Sequence, residues 1–303
     1  MNMNSSASRP RVDVYALVTA RIIEQLEQGV RPWCQPWKNG GSGGCRPLRC
    51  NGEPYRGINV LMLWAGREAK GYTSPYWLTF KQALELNAHV RKGEHGSMVV
   101  YADRITKSQA NAEGEEVEEE IRYLKVYTVF NAEQVVGLPE RFFVRADDAR
   151  PAAARIEEAE AFAAATKAEI HQGGNAAYYA PGADRIQMPP LAAFRDAQAY
   201  YATLLHELTH WTGSASRLAR EFGRRRSGDA EYAREELVAE IGAAFLCADL
   251  GIALEPRADH ADYLGHWLGV LTEDKRAIFQ AAAHAQRAAG FLHRLQESEQ
   301  RAA

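Results

Sequence analysis

Residues 206–210 read His-Glu-Leu-Thr-His, preceded by the apolar-aromatic run Tyr200-Tyr201-Ala202-Thr203-Leu204-Leu205. On a helix, positions i and i+4 lie one above the other, so His206 and His210 present both imidazoles to one point. The H-E-x-x-H pattern is a zinc-ligating helix in which Glu207 is placed to act as general base toward a coordinated water. Zinc lowers the pKa of such a water to about 7, which gives the chain access to hydrolysis at neutral pH. The segment must therefore fold as a helix, and a third ligand must reach it.

One extension of the motif, H-E-x-x-H-x-x-G-x-x-H, is half present: Gly213 stands in place, but Ser216 occupies the final ligand position. The other solution takes a carboxylate from a following helix. Residues 235–240 read Glu-Glu-Leu-Val-Ala-Glu, so Glu236 and Glu240 share a helical face with Leu237, Ile241, Ala244 and Phe245 around them. A carboxylate on an otherwise buried face needs a cation, since burying it unpaired is expensive. Glu236 is the expected third ligand, and Glu240 is expected to hold a ligand imidazole through its other ring N–H. The alternative is a salt-bridged helix face. Two His and one carboxylate suit one zinc ion and would accept manganese or cobalt. For the group that stabilises an oxyanion, Tyr263 and His266 stand equal as candidates, each with a purely structural alternative.

A chain of 303 residues exceeds what one hydrophobic core usually spans, so two domains are expected, with the division at 146–150 in Ala-Asp-Asp-Ala-Arg-Pro. With 46% hydrophobic and 25% charged residues, disorder is excluded. No apolar run is long enough for a membrane helix, and Met1–Pro10 lacks a signal-peptide core, which predicts a cytoplasmic protein without a membrane partner. An amphipathic helix is predicted over 12–29, an alanine-rich one over 149–167, and further helices over 57–70, 77–88, 194–213, 230–250 and 260–295. Strands are predicted over 97–101, 122–130, 175–179 and 184–188, with the glutamate run at 113–120 as a solvated hairpin tip. The fold class is α+β: an α+β first domain over 11–146 and a mostly helical second domain over 150–303 with a small sheet.

The net charge of −3 divides unevenly. Residues 1–110 carry 15 Lys and Arg against 8 Asp and Glu, a balance of +7; the rest carry 21 against 31, a balance of −10. The basic part is also aromatic. Arg31, Trp33 and Trp37 precede a glycine-rich run, and Arg46, Arg49, Tyr55 and Arg56 follow it. Cations that track phosphates, interleaved with aromatics on which bases stack, form a single-strand platform, and Lys81, Arg91 and Lys92 extend the track. The same tryptophans and arginines could instead be structural, or could line a groove for a protein substrate. For Trp64, inside an apolar run, a core position is expected. Cys34, Cys45 and Cys50 lack a paired ligand spacing and read as free thiols.

Several separated segments resemble the ArdC-type antirestriction proteins of plasmids and other mobile elements. They are Pro32-Trp33 with Pro36-Trp37, residues 54–59, 77–83, 91–94 and 127–131, then residues 184–186, 201–213 and 235–246. The resemblance implies an N-terminal single-stranded-DNA-binding domain and a C-terminal zincin-like metallopeptidase domain. It also implies protection of incoming unmodified DNA against host restriction, with single-stranded DNA as the first partner and duplex DNA as the second. Any protein substrate stays unspecified. A shield with a non-catalytic metal, and a cytoplasmic metallopeptidase whose first domain recognises a protein, are the competing readings.

Overall fold

The computed structural model describes residues 13–33, 45–110, 116–143, 151–221, 229–253 and 261–300. Asp13 opens helix α1 (Val14–Glu27) by accepting the Ala16 N–H, one of the donors a helix start leaves without a partner. Val18, Ile22 and Leu26 then form its buried stripe. After the short strand β1 (Leu48–Arg49), helix α2 (Ile58–Lys70) ends on Gly71, whose left-handed φ of 68° suits a residue without a Cβ. Strand β2 (Tyr76–Leu78) and helix α3 (Phe80–Glu85) occupy the span predicted as one helix over 77–88. Thr79 and Gln82 build a capping box that starts the helix at Phe80, while Trp77 and Leu78 are wholly buried in the sheet.

Strand β3 (His89–Val90) is followed by the long hairpin of β4 (Ser97–Ala110) and β5 (Glu116–Asn131), and β6 (Val135–Val136) pairs back on β3. The larger sheet runs β1-β2-β5-β4, with β1 parallel to β2 and the other pairs antiparallel. The hairpin outruns its prediction. Glu116 to Glu120, expected at a solvated tip, pair in register with Ala110 to Thr106, because ladder bonds come from the backbone and glutamates on a strand do not interrupt them.

Helix α4 (Ala152–Ala165) leads into a three-stranded sheet in which β9 (Arg185–Met188) lies between β7 (Glu169–Gln172), parallel to it, and β8 (Tyr178–Ala180), antiparallel. Among the described residues four helices follow: α5 (Ala197–Trp211), α6 (Asp229–Leu250), α7 (Ala261–Glu273) and α8 (Ala277–Gln300). The single helix predicted over 260–295 is broken at 274–276. Asp274 turns the chain by accepting the Arg276 N–H, and α1 pins the turn, with Thr19 Oγ1 donating to the Lys275 carbonyl and Lys275 pairing with Asp13.

The predicted boundary at 146–150 lies outside the described residues. On either side of it, buried residues of the two halves belong to one hydrophobic cluster. Val18, Ile22 and Leu26 of α1, with Trp33, Trp64 and Trp77, are continuous with Leu208, Phe245, Trp267 and Leu292. No helix among the described residues is long and apolar enough to cross a membrane.

Candidate metal centre

Helix α5 is buried from Tyr200 to Thr209, and its own threonines satisfy local carbonyls: Thr203 and Thr209 donate to the carbonyls of Ala199 and Leu205. His206 and Glu207 are each only 4% exposed. Helix α6 comes close because Gly242 has no side chain. A Cβ there would lie 2.5 Å from Thr209 Cγ2. This approach brings the carboxylates of α6 within reach of the imidazoles of α5.

His206 Nε2 and His210 Nε2 face one another at 3.1 Å. Glu236 closes the triangle, one carboxylate oxygen 3.5 Å from His206 Nε2 and the other 3.4 Å from His210 Nε2. A tetrahedral ion with bonds of about 2.0–2.1 Å holds its donors roughly 3.3–3.4 Å apart. The three separations bracket that value, so the donor set fits a divalent cation in both type and spacing.

Each imidazole is held from behind. His206 Nδ1 lies 3.3 Å from Glu240 Oε1, and His210 Nδ1 lies 3.0 Å from Glu235 Oε1. Donation from Nδ1–H to a carboxylate fixes the tautomer and leaves the Nε2 lone pair toward the metal position. Arg220 grips Glu235 through Nε at 2.7 Å and through Nη2, which also donates to the Thr209 carbonyl at 2.8 Å. The guanidinium occupies the space over Gly213, where a Cβ would meet Arg220 Nη2 at 2.7 Å. Glu235 and Arg220 are absent from the expected site. Glu235 adjoins Glu236 in a segment that does signal the site, whereas nothing in the spacing of Arg220 marks it. Ser216 is exposed and bonded to Ser214, away from the donors.

Burial works against charge on His206, but its contacts with Glu236 and Glu240, and nearby Glu207, outweigh burial and raise its pKa to about 10. His210 is also raised: burial opposes its charge, and Glu235 and Glu236 overcome that. Glu236 is buried too, yet the two imidazoles hold its carboxyl well below the usual range. Both imidazoles thus hold protons more tightly than a free ring, and protons compete with a cation for this site.

The sign of the pH dependence follows. The charged His206 stabilises the metal-free fold fully below the unfolded value of about 6.5, and this contribution is lost as pH rises through about 10. Metal needs the neutral ring, so binding displaces protons and tightens with pH, by about tenfold per pH unit for each proton released. Thermal unfolding with and without Mn(II) is expected to show a metal-induced shift that grows from pH 6 to pH 8. A shift that is constant or shrinking would contradict this assignment.

Three members of the expected DNA track, Trp33, Arg46 and Tyr55, are buried. Trp33 is 1% exposed and packs edge-on to Trp267, so it is not available for stacking on a base. Arg46 is 5% exposed and is held by Asp249, which removes it from any phosphate track. Tyr55 is buried beneath the Arg49 guanidinium. Local sequence cannot tell a tryptophan or arginine in a loop from one whose partners lie some 200 residues away. Trp64 is in the core, as expected. Arg31 is half-buried over the Trp267 ring. Arg56, Lys81, Arg91 and Lys92 are exposed, with Lys81 beside Glu85 and Arg91 beside Glu94. Trp37 and Cys34 lie outside the described residues; Cys45 and Cys50 are free thiols. His266 is exposed on α7, and the Tyr263 side chain lies outside the described ones.

Comparison with known proteins agrees with this geometry. A profile described as "N-terminal domain of anti-restriction factor ArdC" matches residues 12–130, and one described as "Zincin-like metallopeptidase" matches residues 157–284. A metal-free crystal structure of the antirestriction ArdC protein from the R388 plasmid superposes with a TM-score of 0.82 at 47% identity, covering 95% of this chain and 99% of that one. The Mn(II)-bound form gives 0.75 at 46% identity, covering 94% and 98%. The uncharacterized protein y4eC of Sinorhizobium fredii is 43% identical over 95% of this chain and 94% of its own length. A DNA primase TraC of Escherichia coli is 40% identical over 91% of this chain, which spans only 26% of that primase.

Proposed function

The chain belongs to the ArdC antirestriction family, and from that premise we propose that it binds single-stranded DNA and protects incoming unmodified DNA from restriction, with a zinc-dependent peptidase centre in the same molecule. One observation carries the reading. A chain whose residues 12–130 match the ArdC N-terminal domain folds so that His206, His210 and Glu236 converge on a point that suits a divalent ion.

When bound, zinc supplies Lewis acidity and favours deprotonation of water at neutral pH. Glu207, carried on the helix that bears both imidazoles, would serve as general base toward water at that site. Glu240 and Glu235 keep the two rings in the tautomer that binds metal. On the DNA side, Arg56, Lys81, Arg91 and Lys92 offer phosphate contacts. Tyr101 and Tyr127, both exposed on the β4–β5 hairpin, offer faces for stacking.

Burial of Glu207 favours a second reading, in which the metal only holds α5 against α6 and the protein acts by occupying DNA. A restricted-transfer assay with Glu207→Gln separates the two. The catalytic reading expects protection to be lost while DNA and metal binding persist, and full protection by that variant would favour the shield. DNA binding is read from a salt titration with a labelled single strand, where affinity falls steeply with salt. Absence of binding at low salt would sink the DNA reading in both forms.

A further inference from the structure

We propose that the metal centre is a joint construction of both halves of the chain, with Trp33 as a positioning residue that acts on His206 through Glu240. Trp33 Nε1 donates to Glu240 Oε2 at 3.3 Å, while Glu240 Oε1 lies 3.3 Å from His206 Nδ1. An indole can only donate, so it selects the ionised carboxylate and directs one oxygen to itself and the other to the imidazole. The relay Trp33–Glu240–His206 thus sets the ring orientation and the tautomer whose Nε2 lone pair points at His210 and Glu236.

The relay is fixed at both ends. Trp33 is buried against Trp267, ring centroids 5.6 Å apart at 74°, and Glu240 is 5% exposed. Its first member lies far outside residues 157–284, the segment that matches the metallopeptidase profile. A second contact from the same half lands on the same helix, where Arg46 grips Asp249 of α6 through two hydrogen bonds of 2.7 Å. The helix that supplies Glu236 and Glu240 is therefore held from the N-terminal half at two places. The metallopeptidase-like segment does not complete its own metal site.

This inference rests on reading His206, His210 and Glu236 as metal donors. Its test uses the full chain and measures Mn(II) and Zn(II) affinity by competition with a chromophoric chelator. Trp33→Phe keeps a ring against Trp267 and removes only the N–H donor. Affinity is expected to weaken by about 3–10-fold, less than the roughly 10–100-fold typical of a group touching the ligand directly. The unfolding midpoint of the metal-free protein should barely move. On a Glu240→Gln background the same change should add nothing, because the relay is already cut. Unchanged affinity in Trp33→Phe, or losses that simply add, would overturn the inference.

Should Trp33→Phe fail to fold, the wild-type chain still decides. Its six tryptophans give six indole N–H resonances, and adding Zn(II) must move at least one of them. None moving would overturn the relay. A wild-type chain that binds no metal, or binds as well with His206→Ala, sinks the metal reading itself. Loss of metal with His206→Ala alongside an unchanged affinity in Trp33→Phe sinks this inference alone.

Discussion

His206→Ala is expected to lose metal from about one equivalent per chain to none, with affinity falling by more than the roughly 100-fold seen for outer partners of a ligand. The ring contributes one of three protein donors, and its neighbours cannot replace it. Glu240 stands behind the imidazole, and Ser216 lies on the exposed turn after α5. Metal at a hundred times its dissociation constant stabilises a fold by about 2.7 kcal/mol, roughly 4 °C in midpoint for a chain of this size. That increment should vanish in the variant. The quantity to compare is the metal-induced shift and not the absolute midpoint. Removing the imidazole also takes one partner each from Glu236 and Glu240 in a water-poor interior, which lowers the metal-free midpoint by itself. Glu236→Gln, nearly isosteric, gives an independent check: it too should lose the metal-induced shift. Metal content by elemental analysis reads the same outcome, and one equivalent retained in His206→Ala would refute the assignment.

Four of the five residues expected at the centre were readable in the sequence because they form two pairs, each within a single helix. His206 and His210, and Glu236 and Glu240, are both i, i+4 pairs, and a period of 3.6 residues makes such pairs readable without tertiary knowledge. Whatever completes the site comes from elsewhere in the chain. Arg220 follows a turn that no periodicity predicts, and Trp33 arrives from about 200 residues away. Strands of two to four residues, such as β1 and β7, are defined by the neighbours they pair with and carry too few residues for an alternation to show. Helix α1 was readable from its apolar period and α4 from its alanine-rich composition. The charge imbalance between the halves suggested a surface, and part of it is internal attraction instead. A basic residue of the first half, Arg46, meets an acidic residue of the second, Asp249, inside the fold.

That pair carries the largest stability effect expected of any single residue outside the metal centre. The Arg46 guanidinium binds Asp249 through Nε and Nη2, donates to Gln286 through Nη1 at 2.8 Å, and lies 4.6 Å from the centre of the Phe245 ring. Gln286 in turn accepts the Gly57 N–H, and His293 meets the same carboxylate at 2.8 Å, so four segments converge on one cation. Arg46→Met preserves much of the side-chain volume and removes the charge. Breaking a buried pair from one side typically costs about 3–5 kcal/mol, and partial exposure of Asp249 places the expected loss near the lower end. Arg46→Lys should recover little, because an ammonium cannot reproduce the two-pronged grip or stack flat on the ring. The double variant Arg46→Met/Asp249→Leu should regain most of the loss, since the penalty lies in the orphaned carboxylate more than in the missing attraction. Urea unfolding midpoints read all three. The same variants separate a structural arginine from a DNA-binding one. A cation that touches phosphate adds about 0.7 to the slope of log affinity against log salt for a single strand, and one sealed against Asp249 adds nothing. Arg46→Met should therefore leave that slope unchanged, whereas a stable Arg46→Met with a shallower slope would return Arg46 to the DNA surface.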